Sequence, residues 1–218
     1  MVVGDSKDWR QHFITFDRRF LGRIAAVWPH CLALLPNQPT EDQITINLVD
    51  LLWKDQVVRR MCHWVEYQYE PFGTDPTGMK FSKGKIDIAA FLDGNDRDRY
   101  LAYECKRLNV IYKGSRSSLA TEYVKEGMMR FMTEQYAEAL SVGCMLGYVM
   151  DSDCTFASTQ VEAAIKAHAP LGLTAGPTWT PAIANFTRFM TAHTRASKVA
   201  IELRHALLPF ARGARTPV

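Results

Sequence analysis

The apolar positions show their clearest rhythm just after residue 39. Thr40 precedes Glu41, Asp42 and Gln43, and Ile44, Leu48, Leu51 and Leu52 follow at three-to-four spacing. This predicts a helix with Thr40 as its N-cap, Gln43 closing a capping box and acids in the first turn. Upstream, Asp8 to Leu35 carries aromatic and aliphatic residues at mixed helical spacing, read as one or two helices. Pro36-Asn37-Gln38-Pro39 interrupts it.

The rhythm then changes to a period of two. His63 to Glu70 alternates, which predicts a strand with Val65, Tyr67 and Tyr69 on one face. Glu66 and Glu70 take the other face, as edge or solvent-facing residues. A polar stretch, Pro71 to Gly84, reads as a loop. Lys85 to Leu92 is a second strand, with Ile86, Ile88, Ala90 and Leu92 together. Tyr100 to Lys106 is a third, and Asp93-Gly94 between them favours an antiparallel hairpin.

Leu119 to Leu140 reads as a helix rich in Glu, Met, Ala and Lys. Gly143 to Met150 is almost entirely apolar, as a buried central strand would be. Thr159 to Ala169 is a helix capped by Ser158 or Thr159, and Gly172 to Pro181 reads as a loop. Asn185 to Phe210 reads as a hairpin turning near Ala196-Ser197. The predicted order is α, β, β, β, α, β with a C-terminal extension, an α/β fold with a mixed sheet. No internal repeat interrupts it, and the 218 residues fit a single domain.

Composition narrows the picture only a little. A chain that is 47% hydrophobic and 22% charged is globular rather than disordered. Its net charge of +3 is too small to announce nucleic-acid binding, so such a role must rest on local clusters. The apolar run from Ile24 to Leu35 is too short to span a bilayer, and the charged N-terminus does not read as a secretory signal. Five scattered cysteines, none in a CxxC, argue against disulfides or structural zinc and for a reducing cytoplasm. The absence of a Gly-rich phosphate loop excludes P-loop nucleotide hydrolysis.

The sharpest chemical feature is Asp87 followed by Glu104-Cys105-Lys106. Residues two apart in a strand share a face, so Glu104 and Lys106 point the same way. One hairpin register sets Asp87 beside Glu104, converging two carboxylates and one ammonium. Acids in apolar strands are costly to bury unless paired or bound to a metal. Two carboxylates can hold Mg²⁺ through hard oxygen ligands, and such an ion polarises a phosphoryl oxygen. A nearby lysine can orient water or stabilise negative charge. The competing reading is a surface strand whose Glu and Lys face water; Asp5-Ser6-Lys7 repeats the same acid-x-Lys triplet.

The capped helix with Glu41, the strand with Asp87, the Glu104-Cys105-Lys106 strand, a helix and a buried strand together resemble the PD-(D/E)XK, or restriction-endonuclease-like, nuclease superfamily. The resemblance covers roughly Pro39 to Met150. It implies a catalytic core over 39–150, an N-terminal helical extension over 1–38 and a C-terminal extension over 151–218. It implies Asp87 and Glu104 as ligands of Mg²⁺ or Mn²⁺, the Cys105 carbonyl as a further ligand and Lys106 as the catalytic lysine. Glu41 matches the acid that many members add from the first helix. The proline of the family name is missing, since Lys85-Ile86 precedes Asp87. The Gln-x-x-x-Tyr motif of some members is not carried over, because Gln135 and Tyr136 are adjacent.

The activity so implied is metal-dependent hydrolysis of nucleic acid, DNA first, in defence, restriction or repair. A homodimer or a partner protein would let two sites cut two strands. The alternative is a catalytically inactive nucleic-acid-binding or protein-interaction subunit, the latter docking through the Met-rich segment Gly127 to Met132. Lys125 and Arg130, with Lys85 and Lys113, are the candidate phosphate contacts. Tyr123 and Tyr136 could meet substrate or serve the core. His193, Arg195 and His205 in the tail are candidates for a second metal site or a phosphate clamp, against the plainer reading of hydrogen-bonded structural residues. Cys105 is not taken as a nucleophile, because it should face away from Glu104.

Overall fold

A computed structural model describes residues 6–92, 99–135 and 140–211, with side chains from residue 9 onward. The chain opens with one long helix, α1 (Ser6–Leu34), which runs through Pro29. Of the one or two helices expected here, a single one forms, for an energetic reason. Phe13, Phe16, Phe20, Leu21, Ile24, Trp28, Cys31, Leu32 and Leu35 are all buried on one face, while Pro29 faces out. A mid-helix proline costs about 3 kcal/mol, and each large apolar side chain recovers roughly 1.5–3 kcal/mol on burial. The packing therefore outweighs the proline.

Helix α2 (Glu41–Lys54) begins as its pattern requires. Gln43 donates its backbone N–H to the Thr40 hydroxyl (3.2 Å), and Thr40 N–H donates to the Gln43 side chain (3.0 Å). Ile44, Leu48, Val49 and Leu52 are buried against α1. A short helix, α3 (Val58–Met61), leads into the sheet.

The strands are β1 (Trp64–Tyr69), β2 (Phe72–Thr74), β3 (Lys80–Ser82), β4 (Ile86–Phe91), β5 (Tyr100–Leu108), β6 (Val110–Tyr112), β7 (Ser115–Ser117) and β8 (Val142–Val149), then β9 (Leu173–Ile183), β10 (Phe186–Thr194) and β11 (Ala200–Pro209). Seven form one sheet in the order β1-β4-β5-β8-β11-β10-β9. β5, β8 and β11 run parallel to one another, and the remaining neighbours pair antiparallel. β2–β3 and β6–β7 are separate two-stranded hairpins. The fold is therefore α/β with a mixed central sheet. Helices α1 and α2 cover one face. The other carries the helical run of α4 (Ala120–Glu122), a π-helical segment (Tyr123–Met128) and α5 (Met129–Met132), together with α6 (Cys154–Ala167). Among the described residues, no helix is long and apolar enough to cross a membrane.

Several expectations need correction. The segment 71–84 is not only loop but holds β2 and β3. The segment 172–181 is most of β9, an edge strand. Its prolines and glycines are tolerated there because the outer side of an edge strand needs no ladder N–H, and its pairing with β10 shifts register three times. Helix α6 starts five residues before Thr159, with Asp153 as the cap accepting from the Phe156 N–H (3.0 Å). Ser158 and Thr159 lie inside it and donate back to the Thr155 carbonyl, at 2.9 and 3.0 Å. The helix expected over 119–140 ends at Met132, and 136–139 lie outside the described residues. The Asp93-Gly94 turn is also outside them, but the strands it joins pair antiparallel, from Ile88↔Tyr103 to Phe91↔Tyr100.

Alternation holds along β5 and fails at one place on its neighbours. Tyr67 and Ile88 pack on the α1–α2 side, whereas Tyr69 and Ile86 pack on the opposite side. Gln68 has φ 53°, and the ladder skips from Tyr67↔Ile88 to Tyr69↔Ile86. This irregularity sits beside Asp87.

Candidate metal and phosphodiester site

The side chains of the acid-x-lysine motif behave as a regular strand demands. Cys105 is buried in the α1–α2 layer, away from Glu104. Glu104 and Lys106 lie together under the π-helical segment. A Cβ on Gly127 would stand 3.4 Å from Lys106 Cγ and 3.6 Å from Glu104 Cγ, and only 2.6 Å from Met145 Cε. The glycine thus permits a close approach of helix to strand.

Asp87 reaches the same place by a different route. The β4–β5 ladder stops at Ile88↔Tyr103, and the Asp87 carboxylate accepts the Cys105 N–H at 2.7 Å. Glu41, from the first turn of α2, accepts the Arg107 N–H at 2.9 Å. The Lys106 ammonium is ringed by three oxygens: Glu104 Oε1 (2.9 Å), Glu41 Oε1 (3.0 Å) and the Cys105 carbonyl (2.9 Å). Arg130 adds a second cation 3.4 Å from Glu104 Oε1. Glu104 is fully buried, and its other oxygen, Oε2, meets no partner among the described residues. Such an orphaned buried acceptor costs about 1–3 kcal/mol.

The electrostatics follow from that burial. Desolvation, reinforced by the Asp87 charge, lifts the Glu104 carboxyl to about 8 against the pull of Lys106 and Arg130. Desolvation likewise lifts Asp87 to about 6, opposed by Lys106 and the Cys105 N–H. Burial alone would lower Lys106, but Glu104, Glu41 and Asp87 together hold it above the ordinary lysine value. Lys106 therefore stays charged and acts as a donor rather than a base. Burial and the negative charges of Asp42 and Asp87 raise Tyr67, a neighbour that strand alternation alone did not mark.

Among the described residues, no three His, Cys, Asp or Glu side chains are drawn together tightly enough to hold a metal ion. The donor set nevertheless suits a hard cation. Carboxylate and carbonyl oxygens surround a point already filled by a positive ammonium, and Glu104 Oε2 is left over without a partner among the described residues. A cleft of about 370 Å³ opens beside it, lined by Glu41, Asp42, Glu122 and Glu126 with Lys106 and Arg107.

The other candidates divide. Arg130 joins the cluster, and its guanidinium also donates to the Lys85 carbonyl (3.3 Å). Lys85 itself is exposed. Lys113 sits at the tip of β6–β7 with its ammonium 5.3 Å from the Tyr112 ring centroid. Lys125 is turned to a separate groove with Ala164 and His168, so the structure does not bring it to the carboxylates. Met128, Phe131 and Met132 are buried, which removes most of the Met-rich segment as a docking surface. Glu66 and Glu70 lie on the edge strand β1 or just beyond it, Glu66 accepting from Trp64 (3.3 Å) and Glu70 from Ser82.

The tail residues form a buried polar chain instead of a clamp. Tyr123 bonds His205 (2.9 Å), His205 bonds Thr191 (2.9 Å), Thr191 bonds His193 (2.7 Å), and His193 reaches the Leu171 carbonyl (3.0 Å). One assignment of hydrogens satisfies every member with both rings neutral: His193 Nδ1–H donates to the carbonyl, and each upstream group donates to the next. Arg195 is buried and donates to the Phe131 (2.9 Å) and Leu140 (3.2 Å) carbonyls. These residues are structural.

No protein-family model, curated protein or solved structure matches this chain.

Proposed function

We propose that this protein is a metal-dependent nuclease of the PD-(D/E)XK type that hydrolyses phosphodiester bonds, with DNA as its first substrate. The observation that carries the reading is the ring of Glu41, Glu104 and Cys105 oxygens closed around one cation, with Asp87 alongside and Glu104 Oε2 left without a partner. The order of capped helix, three antiparallel strands, helix and parallel strand supports it, as analogy of fold. Asp87 and Glu104, assisted by Glu41 and the Cys105 carbonyl, would hold Mg²⁺ or Mn²⁺, which supplies charge neutralisation at the scissile phosphoryl group.

Lys106, kept charged by its carboxylates, orients the attacking water and steadies the negative charge that grows on the phosphoryl oxygens. Water adds to phosphorus, and the bond to the 3′ oxygen breaks. Arg130 keeps a positive charge against Glu104. The β2–β3 and β6–β7 hairpins leave the sheet at the ends that carry Asp87 and Lys106. They bear exposed Phe72, Phe81 and Tyr112 with Lys80 and Lys113, the mixture of rings and cations that a nucleic-acid backbone and its bases require.

The test is a cleavage assay on plasmid DNA, single-stranded DNA and RNA with Mg²⁺, Mn²⁺ or chelator. Cutting should require metal and disappear in Glu104→Ala and Lys106→Ala, with divalent-metal binding lost in Asp87→Ala. Equal cutting by wild type and both variants would remove the site assignment. A second reading, a nucleic-acid-binding subunit without catalysis, is favoured by one observation: Lys106 already neutralises the carboxylates that a metal would need. It predicts salt-dependent DNA binding with no metal affinity.

A further inference from the structure

A second cleft, of about 440 Å³, lies between α1 and the C-terminal strands. Among the described residues, three arginines line it, Arg18 from α1, Arg188 from β10 and Arg204 from β11, and no acidic residue does. Thr15 and Thr180 add hydroxyls, and Ile183 contributes to an apolar wall. We propose that this cleft binds a phosphate monoester on a nucleotide-sized ligand.

The charges around the cleft do not cancel. Asp17, 1% exposed, is shared by two guanidinium groups: Arg204 Nε donates to its Oδ2 at 2.7 Å, while Arg188 stands off at 3.6 Å. The Asp17 Oδ1 is engaged by the Tyr103 hydroxyl (3.1 Å) and the Cys144 thiol (3.5 Å). Glu202 is taken by Arg204 (2.7 Å) and by Arg10. Arg10, Arg188 and Arg204 thus face Asp17 and Glu202, and Arg18 lines the cleft beside them, four positive charges against two negative among the described residues.

Arg188 bears most of the imbalance. It is 6% exposed, its NH1 donates to the Pro181 carbonyl (3.0 Å), and its Nε–H has no acceptor among the described residues. Burial lowers its proton affinity below that of an ordinary arginine, the mark of a cation short of compensation. Arg18 is exposed, with no hydrogen bond or ion pair among the described residues.

An excess of two positive charges on planar guanidinium groups matches a phosphate dianion, which arginine binds in bidentate fashion. The volume leaves room for a nucleoside body against the apolar wall. Two sources present that chemistry, a free nucleotide and the 5′-phosphorylated end of a nucleic-acid strand.

The test uses the full chain in chelator, so that the candidate metal site plays no part. AMP, adenosine, a 5′-phosphorylated trinucleotide and its 5′-hydroxyl form are titrated calorimetrically. AMP should bind saturably and adenosine should not. Arg18→Glu, an exposed change that leaves the Asp17 network intact, should weaken AMP at least about tenfold, as expected for a lost charge-assisted contact. Because AMP binding is read in chelator, its success or failure is separate from that of the nuclease reading. Tighter binding of the phosphorylated trinucleotide than of AMP assigns the strand end, and the reverse assigns the free nucleotide. Failure of AMP and the phosphorylated trinucleotide to bind, or equal AMP affinity in wild type and Arg18→Glu, overturns the proposal.

Discussion

The cleft beside Lys106 and the cleft beside Arg188 are electrostatic opposites. Beside the first, Glu41, Asp87 and Glu104 outnumber Lys106 and Arg130, and one carboxylate oxygen of Glu104 is orphaned. In the second, arginines outnumber their acids, and one guanidinium N–H is orphaned. A fold can hold such residues only where the packing around them more than offsets their desolvation. Both clefts border the same sheet and its well-filled layers, and each is short of one kind of charge. The comparison teaches that uncompensated burial indicates the sign of what is bound before it indicates its identity.

The largest effect should come from removing the cation that closes the acidic side. Lys106→Ala leaves Glu104, Glu41 and Asp87 without their shared partner, and metal-free urea denaturation should show a loss of about 3–5 kcal/mol. Mg²⁺ should restore more stability to this variant than to wild type. No restoration would mean that the oxygens do not accept a divalent ion.

The mirror experiment lies on the basic side. Asp17→Asn removes the charge that Arg188 and Arg204 share and should cost about 3 kcal/mol. AMP should recover part of that loss, read as a rise in Tm. A neutral outcome would show that Asp17 compensates neither arginine.

A pH series separates the acidic cluster from the neutral histidine chain. The folded Glu104 carboxyl sits near 8 against an ordinary 4.5, so the native state binds the extra proton between those values. Metal-free stability should therefore rise as pH falls from about 9 towards 7, by up to ~1.4 kcal/mol per unit. Glu104→Gln should flatten that rise. Burial holds His193 and His205 below the ordinary 6.5, so below about that pH the unfolded chain takes up their protons, which offsets the gain from Glu104 and from Asp87, lifted to about 6, and ends the rise. A profile that keeps rising as pH falls below about 6 would contradict the buried, neutral state of the histidines.

The smallest effect concerns the element that delivers Glu41. Thr40→Ala removes the hydroxyl cap of α2 and should cost about 1 kcal/mol in thermal unfolding. Cleavage should fall by less than it does in Glu41→Ala, because Arg107 N–H still holds the Glu41 carboxylate.

Much of the acidic site could be read from residue order, because its parts are local. Glu104 and Lys106 are two apart on one strand, and a two-residue period sets their shared side without reference to anything else. The capping box of α2 is equally local, closing over three residues. The expected antiparallel pairing of β4 with β5 is present, but Asp87 reaches the Cys105 N–H beyond the end of that ladder, and its neighbour Ile86 packs on the face opposite to the expected one. A positive φ at Gln68 and a skipped rung decide that, and neither leaves a trace in the alternation. Arg130, expected as a phosphate contact, also stands beside Glu104, because the π-helical segment packs over β5, which no local pattern shows.

By itself the chain order determined the periodic elements, the capped helix and the pairing of acid with lysine on one strand, since these depend on steric and hydrogen-bonding rules that act over a few residues. The tertiary structure alone decided that α1 would pass through Pro29, that 173–183 would become an edge strand, and that Asp17 would meet Arg188 and Arg204 from the far end of the chain. Those outcomes turn on which layers face each other and in what register. The energies that settle such choices come from contacts between residues far apart in sequence, which no local pattern records.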